Sequence, residues 1–281
     1  MTTVALFGAG DVGAACAQAL ASRDRVTRLL LVDHAVNAAA GKALDIQQAG
    51  AISGFQTRLE ATADETRAIE SKVLIIGDRC TAGSSEWVGE DGLALVKRVA
   101  SSSDAPIVFA GAGQTGVIRA ASQELRIAAR RLIGSATEAF VSAVCAIVAM
   151  EAQCSPAEVS VAVLGTPPRS FVIPWSEASI GGYALERTVS QVQLRRIEAR
   201  VERLWPPGPY ALGAAAARVV EGILETARRS YNVLTILDGE FGVRNRVGAV
   251  PALLASRGVA RIHTPLLNTR EQVQLDTALG A

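Results

Sequence analysis

Histidine is almost missing from this sequence of 281 residues: His34 and His263 are the only two. Imidazole is the side chain whose ordinary pKa suits proton transfer near neutral pH. Any chemistry that needs it has at most two addresses. Cysteine is also scarce. Cys16, Cys80, Cys145 and Cys154 lie far apart with no C-x-x-C pair, which speaks against a disulfide framework and for reduced thiols. No metal site is expected. An excess of one charge is lacking, because 28 basic residues stand against 27 acidic ones. That excludes a strong electrostatic footprint for nucleic acid or an anionic membrane surface. Long apolar runs are lacking as well: the longest, residues 140–150, is far short of a membrane span. Met1-Thr2-Thr3 runs into an apolar segment with no basic stretch, so no secretory signal is expected. These absences point to a cytoplasmic protein with neither nucleic acid nor membrane as partner.

What is present is apolar material, 49% of the residues. That is enough for a large core, and the length suits two lobes or one large α/β unit. Short apolar runs at 4–7, 28–33, 73–76, 106–110 and 131–133 read as strands. Helical stretches at 11–22, 35–48, 90–101 and 118–130 alternate with them. Continuous apolar strands between helices imply a parallel sheet covered on both faces. The second half changes character. Strands are expected at 159–164, 171–174, 233–237, 247–250 and 260–263. Helices are expected at 189–204 and 212–229, with a Pro206-Pro207-Gly208-Pro209 break between them, and a closing helix at 269–279. The fold class is therefore α/β: an N-terminal Rossmann doubly wound parallel sheet over 1–140 and a C-terminal α+β lobe over 141–281.

Gly8-Ala9-Gly10-Asp11-Val12-Gly13 is G-x-G-x-x-G. It follows a strand and opens a helix, and a second strand then ends in Asp33, 20 residues beyond Gly13. That context is what a dinucleotide fingerprint demands. Gly8 permits the tight turn, Gly10 lets backbone approach a pyrophosphate, and Gly13 lets the helix pack on the strand. With Asp11 and Val12 they offer free N–H groups at the positive end of a helix. Asp33 would accept from the ribose hydroxyls, and a carboxylate there favours NAD over a 2′-phosphorylated dinucleotide. The alternatives are a Rossmann-like fold that binds no nucleotide and an exposed Asp33 without a role.

The opening Val4-Ala5-Leu6-Phe7-Gly8-Ala9-Gly10-Asp11-Val12-Gly13 resembles the cofactor turn of the lactate/malate dehydrogenase family. Gly41-Lys42-Ala43-Leu44-Asp45-Ile46-Gln47-Gln48-Ala49 is similar to the family's next helix, and Gly134-Ser135-Ala136-Thr137 to its G-S-G-T loop. Val172-Ile173-Pro174-Trp175-Ser176 with Ile180-Gly181-Gly182 resembles the segment after the family's histidine loop. Gly248-Ala249-Val250-Pro251-Ala252-Leu253-Leu254, Gly258-Val259, Pro265-Leu266-Leu267 and Glu271 resemble its closing strands and helix. The matches keep their order along essentially the whole chain. The resemblance implies a lobe that carries NAD, a second lobe that shapes a 2-oxo-acid pocket, and homodimers or tetramers.

Hydride transfer to a 2-oxo acid asks for a proton-exchanging histidine, a carboxylate to orient it, and arginines to clamp the substrate. At the family's histidine, in its G-E-H-G-D loop, this sequence has Pro167 within Gly165-Thr166-Pro167-Pro168-Arg169. At the Asp and Arg of L-D-x-x-R it has Phe140 and Ala143. The N-P pair reads Gly111-Ala112, the mobile-loop arginine falls near Ser85, and the cofactor-lining T-A-G reads Ile76-Gly77-Asp78. None of the family's catalytic set is retained. The resemblance thus implies an asymmetric site: intact at its adenosine and pyrophosphate end, altered at its nicotinamide and substrate end. NAD, or an adenosine nucleotide, would be held weakly or in part.

Arg169 is the candidate for holding a ligand's anionic group, against a solvated loop arginine. Arg79 and Cys80 open the mobile loop. Glu138 is a candidate acid or base if it faces the pocket. The alanine-rich stretches at 11–22 and 35–49 suit a twofold interface or tight packing within one subunit. Three readings stay open: an NAD-dependent oxidoreductase with substitute residues, a nucleotide binder without turnover, and an oligomeric scaffold.

Overall fold

The computed structural model of the chain describes residues 2–81, 85–226 and 228–280. Its first strands are β1 (Thr3–Phe7), β2 (Arg28–Val32), β3 (Arg58–Thr62), β4 (Val73–Ile76), β5 (Ile107–Phe109) and β6 (Leu132–Gly134). They lie side by side, all parallel, in the order β3-β2-β1-β4-β5-β6. The chain winds outward in both directions from the β1/β4 pair. The helices that return it are α1 (Asp11–Arg23), α2 (Val36–Ser53), α3 (Gly89–Ser102) and α4 (Thr115–Gln123).

The continuous apolar strands follow from this arrangement. Side chains alternate between the two faces of a strand, and both faces are covered here. Leu29 and Leu31 pack on one side with α1 and α2, while Leu30 and Val32 pack on the other. The second side is closed by α3, α4 and α5 (Ala136–Ala152). Fully burying a leucine contributes on the order of 1.5–3 kcal/mol, so neither face can be left wet.

The sheet does not stop at β6. Gly134 pairs with Leu234 of β9 (Ser230–Asp238), antiparallel. Then come β10 (Arg244–Ala255), β7 (Leu164–Thr166) and β8 (Ser170–Val172), with β11 (Gly258–Ile262) pairing the C-terminal part of β10, also on the edge away from β9. The later helices are α6 (Gln191–Val201), α7 (Pro209–Glu225) and α8 (Thr269–Leu279). Helix α7 lies on α1, and its Gly213 meets the backbone of Ala15 and Cys16. The small residues of α1 are thus used within the chain. The four cysteines are free, and no described helix is long and apolar enough to cross a membrane.

Several elements differ from the sequence expectation. Strand β3 was not expected, because Arg-Leu-Glu-Ala-Thr alternates polar and apolar as an edge strand does. The helix expected at 118–130 ends at Gln123, and Arg126 then takes a positive φ of 54°. The strand expected at 159–164 is two: Val159–Ser160 joins a small separate sheet, and β7 begins at Leu164.

Candidate cofactor cleft

Strand β1 ends in Gly8, whose φ of +94° and contact with the Asp78 backbone leave no room for a Cβ. The chain then turns into α1 with Gly10 at the N-cap and no cap from its own side chain. The first N–H groups of a helix need partners, and an open turn of this kind is an anion site.

Here the partner comes from just beyond the carboxyl end of β4. The Asp78 carboxylate accepts from Asp11 N (2.9 Å), Val12 N (3.3 Å) and Gly13 N (2.8 Å). The Asp78 carbonyl accepts from Gly10 N at 2.8 Å. A Cβ on Gly10 would overlap the Asp78 carboxyl group. Asp78 is 2% exposed.

Asp33, just past β2, is held as firmly. Its Oδ2 accepts from Ala9 N (2.9 Å) and Cys80 N (3.0 Å), and its Oδ1 from Ala35 N (2.9 Å). Lys42 closes the turn from above, donating to the carbonyls of Ala9 (2.7 Å) and Gly10 (3.1 Å). The structure places Gly8, Gly10, Asp11, Val12, Gly13 and Asp33, the residues that the sequence analysis grouped, around one turn. Sequence reasoning named Asp78 only as a departure from T-A-G and missed what its side chain does.

A second carboxylate acts the same way at the next turn. Residues Asp78–Arg79 pair antiparallel with Ser85–Glu86. Glu86 accepts from Ala112 N (2.9 Å) and Gly113 N (2.7 Å), in the turn between β5 and α4. Gln114, 1% exposed, ties that turn down: its Oε1 accepts from Gly111 N, and its Nε2 donates to the carbonyls of Gly77 and Trp87. Arg79 lies over the Trp87 ring, 4.1 Å from its centroid, and pairs with Asp91 at 2.8 Å. Glu86 and Gln114 had no signal in the sequence reading. Ser85, the position nearest the family's mobile arginine, is exposed.

The segment expected to hold the chemistry is apolar. Phe140 is fully buried in α5 and meets Phe171 (5.1 Å between centroids) and Trp205 (5.6 Å), both edge to face. Pro167 is buried at the end of β7, and Ala143 is half-buried one turn along α5. Arg169 is exposed at the rim of a cavity of about 1030 Å³ between the 168–176 segment, α6 and α8. Among the described residues that lining contains nothing from the turn at 8–13.

Glu138 faces elsewhere, into a cavity of about 800 Å³ lined also by Arg218, Ser230 and His263. It accepts from Asn232 N (2.8 Å) and pairs with Arg218 (3.1 Å). Burial pushes its carboxyl above the usual carboxylate range, opposed by the Asn232 N–H, Arg218 and Arg229. His263 contacts Ser230 at 3.0 Å, and His34 is exposed just past β2. The loop at 134–137 is structural: Ser135 Oγ donates to the Phe109 carbonyl and Thr137 Oγ1 to that of Asn232.

A parallel sheet in this order, with a glycine-rich turn after its first strand, defines the class as dinucleotide-binding Rossmann proteins. The family model described as lactate/malate dehydrogenase, NAD binding domain, matches residues 2–104. The malate dehydrogenase of Cytophaga hutchinsonii is 28% identical over 296 residues, covering 98% of this chain and 94% of that protein. Among solved structures, malate dehydrogenase from Salinibacter ruber superposes with a TM-score of 0.86 at 26% identity, covering 99% of this chain and 94% of that one. The fold is also that of a minor L-lactate dehydrogenase from Enterococcus mundtii, with a TM-score of 0.86 at 20% identity, over 99% of this chain and 95% of that one. The chain is thus similar over nearly its whole length to malate dehydrogenases, and over residues 2–104 to the NAD binding domain of lactate/malate dehydrogenases.

NAD is the cofactor that this domain and these relatives support. The frame for it is present, but the donors are engaged. A pyrophosphate needs the N–H groups of Asp11, Val12 and Gly13, and all three are bonded to Asp78. In this arrangement the turn does not fit a second anion.

Proposed function

We propose that this protein keeps the nucleotide-binding frame of its family without oxidising 2-hydroxy acids, and acts as a nucleotide binder rather than as a dehydrogenase. The observation that carries the reading is Phe140. A carboxylate that orients a histidine has to reach it by a hydrogen bond, and this position holds a phenylalanine sealed by Phe171 and Trp205. Pro167, Ala143 and Ser85 offer no imidazole, carboxylate or guanidinium at the neighbouring positions. Groups that act as a unit lose most of their effect when one is removed, and here four are replaced.

The cofactor side of the reading rests on Gly8, Gly10, Asp11, Val12, Gly13 and Asp33, and the ligand is an adenosine nucleotide such as NAD. Arg169 belongs to the same reading as the group that meets an anionic ligand at the rim of its cavity. Assembly as a homodimer or tetramer, implied by the family, completes it.

The test is NADH oxidation by purified protein over a panel of short 2-oxo acids, oxaloacetate and pyruvate among them. No consumption above the uncatalysed background is expected. Turnover at ordinary enzyme rates, on the order of 1–10³ per second, overturns the reading. Arg169→Ala is expected to weaken binding of a carboxylate ligand, measured calorimetrically, and unchanged affinity removes Arg169 from it.

A further inference from the structure

We propose that the carboxylates of Asp78 and Glu86 are internal occupants of the dinucleotide cleft, and that a pyrophosphate-bearing ligand binds only by displacing Asp78. The inference rests on the nucleotide-binding reading above.

Ligands of doubly wound sheets lie beyond the carboxyl ends of the strands, in the crevice where strand order reverses. In this sheet that crevice falls between β1 and β4, and β5 lies on the far side of β4. Asp78–Arg79, the first strand of the pair with Ser85–Glu86, follows β4 at the mouth of the crevice. Asp78 and Glu86 are cross-strand partners in that pair. One carboxylate turns to the β1–α1 turn and takes three N–H groups. The other turns to the β5–α4 turn and takes two. The chain thus fills both strand-to-helix turns beside the crevice with anions of its own.

The fit is specific. The carboxyl group of Asp78 occupies the space that the absent Cβ of Gly10 leaves, and Glu86 occupies the space beside Gly111. A glycine-rich turn approached this closely by backbone and carboxylate has the geometry of an occupied anion site. The strand pair is anchored by Arg79 on Trp87 and Asp91, and by Gln114, which bonds the carbonyls of Gly77 and Trp87.

Two costs follow for an incoming pyrophosphate. It must break charge-assisted hydrogen bonds, each typically worth more than a neutral one, and the displaced Asp78 remains nearby as a like charge. Adenosine carries no phosphate and meets neither cost.

The experiment compares the full-length protein with its Asp78→Gly and Asp78→Asn variants, by calorimetric titration with NADH, ADP-ribose and adenosine. Removing the carboxylate is expected to tighten NADH and ADP-ribose by at least about tenfold, the factor set by roughly 1.4 kcal/mol, and to leave adenosine unchanged. Asp78→Asn keeps the shape and one acceptor, so it covers the case in which the glycine variant does not fold. Its expected gain lies between parent and Asp78→Gly. In the parent, the observed association rate should level off with NADH concentration, because displacement precedes binding.

Equal NADH affinity in parent and both variants overturns the occupant and leaves the nucleotide reading standing. No binding of NADH or ADP-ribose by any of the three overturns both. A gain for adenosine as large as that for ADP-ribose also overturns the proposal, since it means a general loosening of the cleft.

Discussion

The turn after β1 and the segment around Phe140 are both tightly held, by opposite means. At the turn, polar backbone is satisfied by an internal carboxylate, and three N–H groups converge on Asp78. At Phe140 the contacts are aromatic, and the rings of Phe171 and Trp205 each meet it edge to face. The first arrangement is reversible in principle, because a better anion can compete for the same donors. The second is not, because no ligand chemistry replaces a ring packed in the core. The difference teaches that the turn and the Phe140 segment can vary independently, since the two depend on different kinds of contact.

The largest effect should come from the aromatic side. Phe140→Ala removes a fully buried ring and is expected to cost about 3–5 kcal/mol, read as a lowered midpoint in urea. Phe140→Asp should cost more, because it adds a carboxylate at a fully buried position. A loss under about 1 kcal/mol would mean that the segment is loose enough to admit a ligand, and the comparison would collapse. Next comes Gly10→Ala. Its new Cβ meets the Asp78 carboxyl group, so a loss of about 1–3 kcal/mol is expected from overpacking. In an Asp78→Gly background the loss should shrink by about 1 kcal/mol or more, a coupling that a double-mutant cycle measures. Additive losses would mean that Asp78 does not press on the turn.

How much of this was readable beforehand depended on distance along the chain. The motif at 8–13 is local, so its strand, turn and helix could be placed from sequence alone, as could Asp33 at the next strand's end. Strand β3 escaped because an edge strand shows half-polar alternation. Asp78 lies 65–67 residues from the N–H groups it caps. No periodicity reports such a pairing; the one signal was a carboxylate where the family's T-A-G has glycine. Glu86 was overshadowed by its neighbour Ser85, and its partners lie 26 and 27 residues away. Phe140 was legible as a replacement, but its ring partners Phe171 and Trp205 are tertiary facts. Glu138 illustrates the converse: a candidate acid by type, it turns to α7 and β9 and pairs with Arg218 and the Asn232 backbone.

A smaller effect is expected at Glu86. Glu86→Ala leaves two N–H groups at the β5–α4 turn without their acceptor, a loss of about 1 kcal/mol where water can partly replace it. In a chain of this size that is a drop of roughly 2–4 °C in Tm. Glu86→Gln keeps one acceptor and should lose less. If both variants melt with the parent, the second carboxylate does not hold its turn, and only Asp78 remains as occupant.

The smallest effect is a pH dependence, and it sets Glu138 against Glu60. Burial raises the Glu138 carboxyl above its usual range in the folded state. As pH rises from acid, the unfolded chain gives up this proton first, so the folded state binds more protons and stability falls through that window. Glu60 runs the other way. Its hydrogen bond with Arg28, then that with Arg67, holds it below the usual range, so its contribution is present above the ordinary carboxylate pKa and lost as pH falls. Glu138→Gln keeps an acceptor for the Asn232 N–H and removes the titration. The difference in Tm between variant and parent should therefore move in the variant's favour as pH is raised from about 4 toward neutrality. Glu60→Gln should show the reverse slope. A Glu138→Gln difference that stays flat with pH would mean that Arg218 and the Asn232 N–H fully offset the burial of the carboxyl group, and one that falls as pH rises would mean that Arg218 holds it charged throughout. The cavity beside it would then be an ion-paired wall rather than a place where a buried carboxyl keeps its proton.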